Sequence, residues 1–522
     1  MRTVVGLLLV CITARAALGQ SARDWRTSER TIIGAFTTVT AVAATLDRVY
    51  VASPTSVLVW RPQTRQWEGP YTPRDPRILD DVFGALIDPL DESLWLARAD
   101  GWAHYQPGLD LWDEGRVPDG VLTIAIDQSD PAAGLYLRTR AGWYVVPRAG
   151  IMATPSPRPP ARPVTPTSVD EALRASPTLR TNAAQILLDE RLRTVRYTAA
   201  ARAVDAPGWY LGTSGAGLLF LPDGAALPER LAFGLPSLRV GAVLNWPGGV
   251  WVATDRDPLN DAALTFVGSE LSEFTTLRGL AATGIPFTRV LELAGQGRSV
   301  FAATDFGVAR VEVASERFEM VDERRGLPDS RVYSVASRLD DIVAGTAHGL
   351  ARIDDSLEVE RPAPEFSDAA YAVFPRGDTI WVATPRGIYL AVPNQRTLVR
   401  PAALGAASLQ VAVVSIASLG DTIVAMGRDQ MLWRDPRSGG WRVGPNLSGL
   451  LGRLRAFAAD GSGFWVAGDR GVGFARLGAP PIRSIAEGDL PGVPTDLAAD
   501  RDHLWVGTDR GLVRFQLDAI RP

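Results

Sequence analysis

A short phrase that returns along the whole chain constrains this sequence more than any other feature. Its best copies are LWVGTDRGLVRF from Leu504, FWVAGDRGVGFA from Phe464, IWVATPRGIYLA from Ile380, VFAATDFGVARV from Val300, IVAGTAHGLARI from Ile342 and WYLGTSGAGLLF from Trp209. They share one plan: apolar, aromatic, apolar, small, Thr or Gly, two turn residues, Gly, then a second apolar run. Looser copies begin at Val49, Leu94, Leu135, Val250 and Ile423, which makes eleven. The second-position residues are Tyr50, Trp95, Tyr136, Tyr210, Trp251, Phe301, Val343, Trp381, Val424, Trp465 and Trp505, with gaps of 45, 41, 74, 41, 50, 42, 38, 43, 41 and 40 residues. All but one of these gaps match the roughly 40 to 50 residues of a four-stranded propeller blade. The gap of 74 is one blade plus an insertion.

Each copy dictates its own geometry. Leu504 to Gly507 is apolar on both alternating faces, as in a strand whose sheet is sandwiched between two others. Thr508-Asp509-Arg510-Gly511 turns the chain, with Asp bonding local amides and Gly accepting positive φ. The small residue two places after the marker (Ala253, Ala303, Gly345, Ala383, Ala467, Gly507) leaves room for a bulky side chain of the next blade. Apolar runs upstream, such as RVYSVA from Arg331, predict inner strands. Trp67-Glu68, Trp112-Asp113, Phe318-Glu319 and Trp441-Arg442 predict outer strands.

The expected fold is therefore an all-β propeller of about eleven four-stranded blades, as two packed rings or one unusually large ring. The last copy stops short of an outer strand. Asp24-Trp25-Arg26 resembles the outer-strand segments, so an N-terminal strand is expected to complete the last blade and remove a free edge. The expected organisation is a signal peptide over 1–19, three blades over 20–149, a proline-rich insertion with a short helix over 150–185, and eight blades over 186–522. Met152 to Pro166 reads as an unpaired polyproline-like loop. Ser168 to Glu171 reads as a capping box opening a helix.

The first residues, basic then apolar with small residues at Ala17 and Gly19, read as a removable export signal. No segment of the expected mature chain is long and apolar enough to span a membrane. All 54 basic residues are arginine; with no lysine, Schiff-base, P-loop and Ser-Lys chemistries are excluded. The single cysteine, Cys11, falls in the signal, so no disulfide is expected. A net charge of −4 with dispersed arginine gives no sign of nucleic-acid binding.

The unit from Gly326 to Asp354 (GLPDSRVYSVASRLDDIVAGTAHGLARID) and the unit from Asp489 to Phe515 (DLPGVPTDLAADRDHLWVGTDRGLVRF) resemble the two-component regulator propeller repeat of extracytoplasmic bacterial sensor regions. A Leu-Pro pair before the inner strand and the W-V-G-T-D-x-G-L hairpin carry the resemblance. It implies a β-propeller and an exported location, in a family whose members often form tandem propellers that sense glycan fragments. No kinase, response-regulator or anchoring segment is read here, so signalling does not follow from it.

No hydrolase elbow, zinc-helix, paired-cysteine or calcium-loop motif occurs, and no metal or cofactor is expected. The three histidines, His104, His348 and His503, sit in different repeats. Asp81, Asp329, Asp368 and Asp496 recur near inner strands and are axial carboxylate candidates; two carboxylates facing a channel could cleave a glycoside, whereas the bland reading makes each a turn cap. The hairpin turns gather Arg256, Asp305, His348, Arg386, Arg428, Asp469, Arg470, Asp509 and Arg510 on one rim, as ligand or partner candidates. The leading expectation is a periplasmic or secreted, non-enzymatic binding protein that holds a protein or cell-envelope partner on this rim. A glycan-cleaving enzyme and a detached ligand sensor are the alternatives, with a glycan as the other partner class.

Overall fold

Alternation of short apolar runs with Gly- and Asp-containing turns produces strands and almost nothing else. The computed structural model describes residues 25–522 apart from 27, 74, 149, 177–194, 232, 258–261, 272, 278–286, 402–412, 478, 480 and 522. The expected signal at 1–19 and the insertion's tail at 177–185 lie outside the described residues. Among those residues the chain forms eleven antiparallel sheets. Numbered in chain order, their first strands are Ala41–Ala44, Val82–Ile87, Val121–Asp127, Tyr197–Arg202, Val240–Trp246, Val290–Gln296, Val332–Arg338, Ala372–Arg376, Val413–Leu419, Leu454–Ala459 and Pro494–Ala499. Nine sheets have four strands, sheet 3 has five and sheet 8 has three. The arrangement is propeller-like. No helix among the described residues is long and apolar enough to cross a membrane.

First strands face first strands. In sheets 5 to 11 each first strand packs on that of the next sheet, and the first strand of sheet 11 packs on that of sheet 5. Sheets 4, 1, 2 and 3 form a second succession in that order. Two segments cross between the groups, and they meet in a parallel bridge from Ala35 to Leu235. Phe233 packs on Phe36 and Trp67 from one side and on Phe274 from the other.

An N-terminal strand does complete sheet 11, where Arg30–Ile33 pairs with Gly511–Gln516 in the register Arg30 to Phe515 and Ile32 to Val513. The strand lies later than Asp24-Trp25-Arg26 because Ile32 and Ile33 are the residues that fill the core, at 1% and 0% exposure. Each such burial contributes about 1.5–3 kcal/mol. Trp25 instead packs edge-on against Phe515 and donates its indole N–H to Asp489 Oδ1 at 2.9 Å.

The small residues do serve the neighbouring sheet. A Cβ on Gly507 would stand 2.7 Å from Val240 Cγ1 of sheet 5, and one on Gly345 would stand 2.6 Å from the Ala370 carbonyl oxygen beside sheet 8. The four predicted aromatic outer strands are present as Gln66–Tyr71, Leu111–Arg116, Arg317–Val321 and Trp441–Asn446.

The proline-rich segment differs from its expectation. Thr154–Ser156 pairs with Trp143–Val146 on one side of sheet 3, and Pro163–Val164 pairs with Val121–Asp127 on the other. Both are edge positions, where a missing N–H can face away from the partner. Asp127 holds the connection by accepting from the backbone N–H groups of Ala161 (2.6 Å) and Arg162 (3.0 Å). Pro166 then lies against Gly84 of sheet 2, and the helix Val169–Ala175 packs on the first strand of sheet 4. Its capping residue is Ser168, whose side chain accepts from Glu171 N.

Candidate functional site

The hairpins are set by threonine and glycine. Thr304, Thr346, Thr384 and Thr508 each donate a hydroxyl to the carbonyl three residues on and accept the N–H two residues on. The following Gly307, Gly349, Gly387 and Gly511 have φ between 110° and 128°, which only glycine adopts readily. This frees the intervening aspartate and arginine from turn formation, contrary to the expectation that the aspartate bonds its own turn. They reach instead to the start of the first strand of the same sheet.

Those reaches place the predicted residues. Asp509 Oδ1 accepts from Val493 N at 2.8 Å, and Asp305 accepts from the backbone of Thr288 and Arg289. His348 Nδ1 lies 2.5 Å from Asp329 Oδ2, Arg386 Nη1 lies 3.4 Å from Asp368 Oδ2, and Asp469 pairs with Arg455 at 2.7 Å. The backbone N–H groups of Arg256 and Arg470 donate to Thr288 and Leu451, while the Arg428 carbonyl accepts from Leu454. Hairpins and strand starts therefore share a rim. Among the axial candidates, Asp329 and Asp368 face their own sheets' hairpins, and Asp81 is exposed in the other group of sheets. Asp496 lies within the first strand of sheet 11 and accepts from Val243 N of sheet 5 at 2.8 Å.

Asp496 has a counterpart that the sequence reading missed. Glu292, at the matching position of sheet 6, accepts from Val335 N of sheet 7 at 3.1 Å. Burial pushes both carboxyls up to about 7, against the bonds they accept, and the Asp496 charge raises Glu292 further. Aligning the strand starts on their bulges would have exposed Glu292.

A cleft of 1070 Å³ opens between the two groups of sheets. One wall is Pro54, Thr55, Asp75, Ile78 and Asp80 with Trp112, Asp113 and Glu114 on the outer strand of sheet 2. The other is Asp469, Glu487, the loop from Leu490 to Pro494, Asp509 and Arg510, from the rim of sheets 10 and 11. Three of the rim candidates, Asp469, Asp509 and Arg510, thus meet the first group of sheets here. Among the described residues, seven carboxylates and one guanidinium line this space. Trp112 stacks on Tyr105 at 4.7 Å and gives the wall an aromatic surface. Glu114 is partly neutralised by Arg98 at 2.9 Å.

The histidines do not converge. His104 stacks on Trp95 at 3.7 Å with Nε2 on Ser93 Oγ, and burial lowers its pKa. His503 lies near Asp500 and Gln516, far along the chain from His348. Among the described residues no three His, Cys, Asp or Glu side chains are grouped as metal ligands.

No protein-family profile matches the chain, and no curated protein does. Among solved structures, two extracellular domains from B. thetaiotaomicron are similar to it. One is described as a putative one component system, at 12% identity and a TM-score of 0.41 over 92% of this chain and 76% of that one. The other is described as a putative hybrid two component system, at 11% and 0.42 over 95% and 70%. A catalytically inactive virginiamycin B lyase from Staphylococcus aureus, with quinupristin, is similar at 12% and 0.44 over 54% of this chain and 97% of that one. No residue role follows from likenesses this loose.

Proposed function

We propose that this chain is an exported, non-enzymatic binding protein whose site is the cleft between its two groups of sheets. In this reading sheets 5 to 11 are the blades of one seven-membered ring, and sheets 1 to 4 are an arc inserted between the closing strand and that ring. The observation that carries the proposal is the cleft itself, with loops of both groups as walls and an excess of carboxylates over arginine among its described lining residues. An excess of one sign between low-dielectric walls focuses the field there, so the preferred partner is positively charged. Trp112, Ile78 and Leu490 offer apolar surface to the aliphatic stems of arginine or lysine, and the indole face attracts their heads. The partner class is therefore a basic segment of a protein or cell-envelope component.

The test is calorimetric titration with a lysine-rich peptide and with an acidic peptide of equal length. The basic peptide is expected to bind and the acidic one not to. Replacing Asp75, Asp80 and Glu487 by Asn, Asn and Gln should weaken binding at least tenfold in protein that keeps a cooperative melting transition. Equal affinity for both peptides, or no effect of the triple variant, contradicts the reading. The glycan-cleaving alternative predicts turnover on a polysaccharide panel that the Asp496→Asn variant loses.

A further inference from the structure

Six of the seven first strands in sheets 5 to 11 repeat one irregularity, which those of sheets 2, 3 and 4 share. Near its start the pairing register slips at Val240/Ala242, Val290/Glu292, Val332/Ser334, Val413/Ser415, Leu454/Ala456 and Pro494/Asp496. Each of these first strands is also a sheet edge, so alternate backbone N–H groups point away from their own sheet and lack a ladder partner. Three times a side chain just past the slip supplies the acceptor for the next sheet: Asp496 for Val243, Glu292 for Val335 and Ser334 for Val373. Ser334 does this with a neutral hydroxyl at 3.0 Å. Joining the sheets therefore needs an acceptor and no charge, and the ionisable groups at 292 and 496 add something a serine does not.

These two carboxyls flank sheet 5, where the matching residue is Ala242. Each is surrounded by protein yet keeps part of its surface accessible, as groups facing a narrow internal space do. Among the described residues neither has an arginine partner. The strands packed on theirs bring few charges. Val240–Trp246, Gly249–Thr254, Ser299–Thr304 and Phe464–Gly468 carry none. Val332–Arg338 brings Tyr333, which packs on Tyr371, and Arg338, which is taken by Asp341 and Asp378. Leu454–Ala459 brings Arg455, held by Asp469, and His503–Thr508 brings His503, beside Asp500. Asp255, after the second strand of sheet 5, accepts from Val290 N at 3.2 Å and lies 3.8 Å from Arg289.

We propose that Glu292 and Asp496 form a proton-operated lock at the centre of sheets 5 to 11. With at least one proton on the pair, the carboxyls hold the joint between sheets 11 and 5 and that between sheets 6 and 7. Fully ionised, they repel each other across Ala242 with no arginine partner among the described residues to offset the charge, and both joints loosen. The elevated proton affinity of both groups accords with this, since a desolvated pair of like charges favours its neutral form.

The experiment follows the full chain's melting temperature from about pH 5 to about pH 8, where protons bound more tightly by the folded than the unfolded state make stability fall with rising pH. The wild type is expected to lose stability across this range, and the Glu292→Gln, Asp496→Asn double variant to lose markedly less. Parallel curves overturn the proposal. Infrared titration of the wild type's carboxyl bands, which does not depend on a variant folding, should show protonated carboxyl persisting to near neutral pH. Complete ionisation by about pH 5 overturns it equally.

Discussion

Val243 of sheet 5 donates its backbone N–H to Asp496 Oδ2 of sheet 11 at 2.8 Å, 253 positions away in the chain. Beside it, Thr495 Oγ1 donates to the Val240 carbonyl at 2.8 Å. These bonds bring the last sheet against the fifth and leave sheets 1 to 4 outside the succession. The closing strand Arg30–Ile33 seals that last sheet before the chain departs to build the first group.

The closing strand should therefore be essential to the core. Ile33 packs in one cluster with Leu235, Val240, Trp505 and Leu512 and is fully buried. Ile33→Ala is expected to cost about 2–5 kcal/mol through lost burial and the cavity left behind. Urea unfolding checks this as a lower midpoint at unchanged slope.

Close approach at sheet 7 should be equally unforgiving. The Cβ of Gly345→Ala would meet the Ala370 carbonyl oxygen at 2.6 Å, a backbone atom that no rotamer change can move aside. The expected loss is about 1–3 kcal/mol, the range of overpacking. A melting temperature equal to the wild type's would show that sheets 7 and 8 are not packed as described.

Acid should unfold the protein by a different route from alkali. Burial raises the Asp500 carboxyl, but bonds from His503 and from Trp505 Nε1 (3.0 Å), with the N–H of Asp502, outweigh it and hold it well below the usual carboxylate range. A carboxyl depressed in the folded state contributes stability that is present above its unfolded value, about 4, and is lost as pH falls below it. The Glu292 and Asp496 pair acts with the opposite sign, losing stability from about pH 4 upward to about 7, so stability is expected to peak near pH 4. Asp500→Asn should flatten the acid limb of a melting-temperature profile and leave the alkaline limb alone.

Asp127 should govern the insertion. Its carboxylate collects the N–H groups of Ser129, Ala161 and Arg162, which fixes the return of the chain along sheet 3. Asp127→Ala is expected to speed hydrogen exchange of the Ala161 and Arg162 N–H groups several-fold while the overall melting transition moves little. Unchanged exchange would mean that the segment is held by other contacts.

The repeat made the strands, the hairpins and the small residues at Gly345 and Gly507 legible, and the capping pattern from Ser168 did the same for the helix of the insertion, because each follows from local spacing. The reach of Asp509 to Val493 was not legible, since Thr508 had already satisfied the turn and only the fold shows what the aspartate then meets. Glu292 was hidden for a related reason: its importance depends on a bulge and on its neighbour two sheets away. Pairing of Pro163–Val164 was misread because proline forbids a central strand position but not an edge one. The cleft could not be read at all, as Asp80 and Glu487 meet only through the packing of two groups of sheets.

Hydrogen exchange of the intact protein, with and without a saturating lysine-rich peptide, decides whether the cleft is where a basic partner binds. Protection is expected at residues 75–80, 112–114 and 487–494, with the hairpins and outer strands of sheets 6 and 7 unchanged. Protection spread over the rim of those sheets, or none at the cleft, would contradict it.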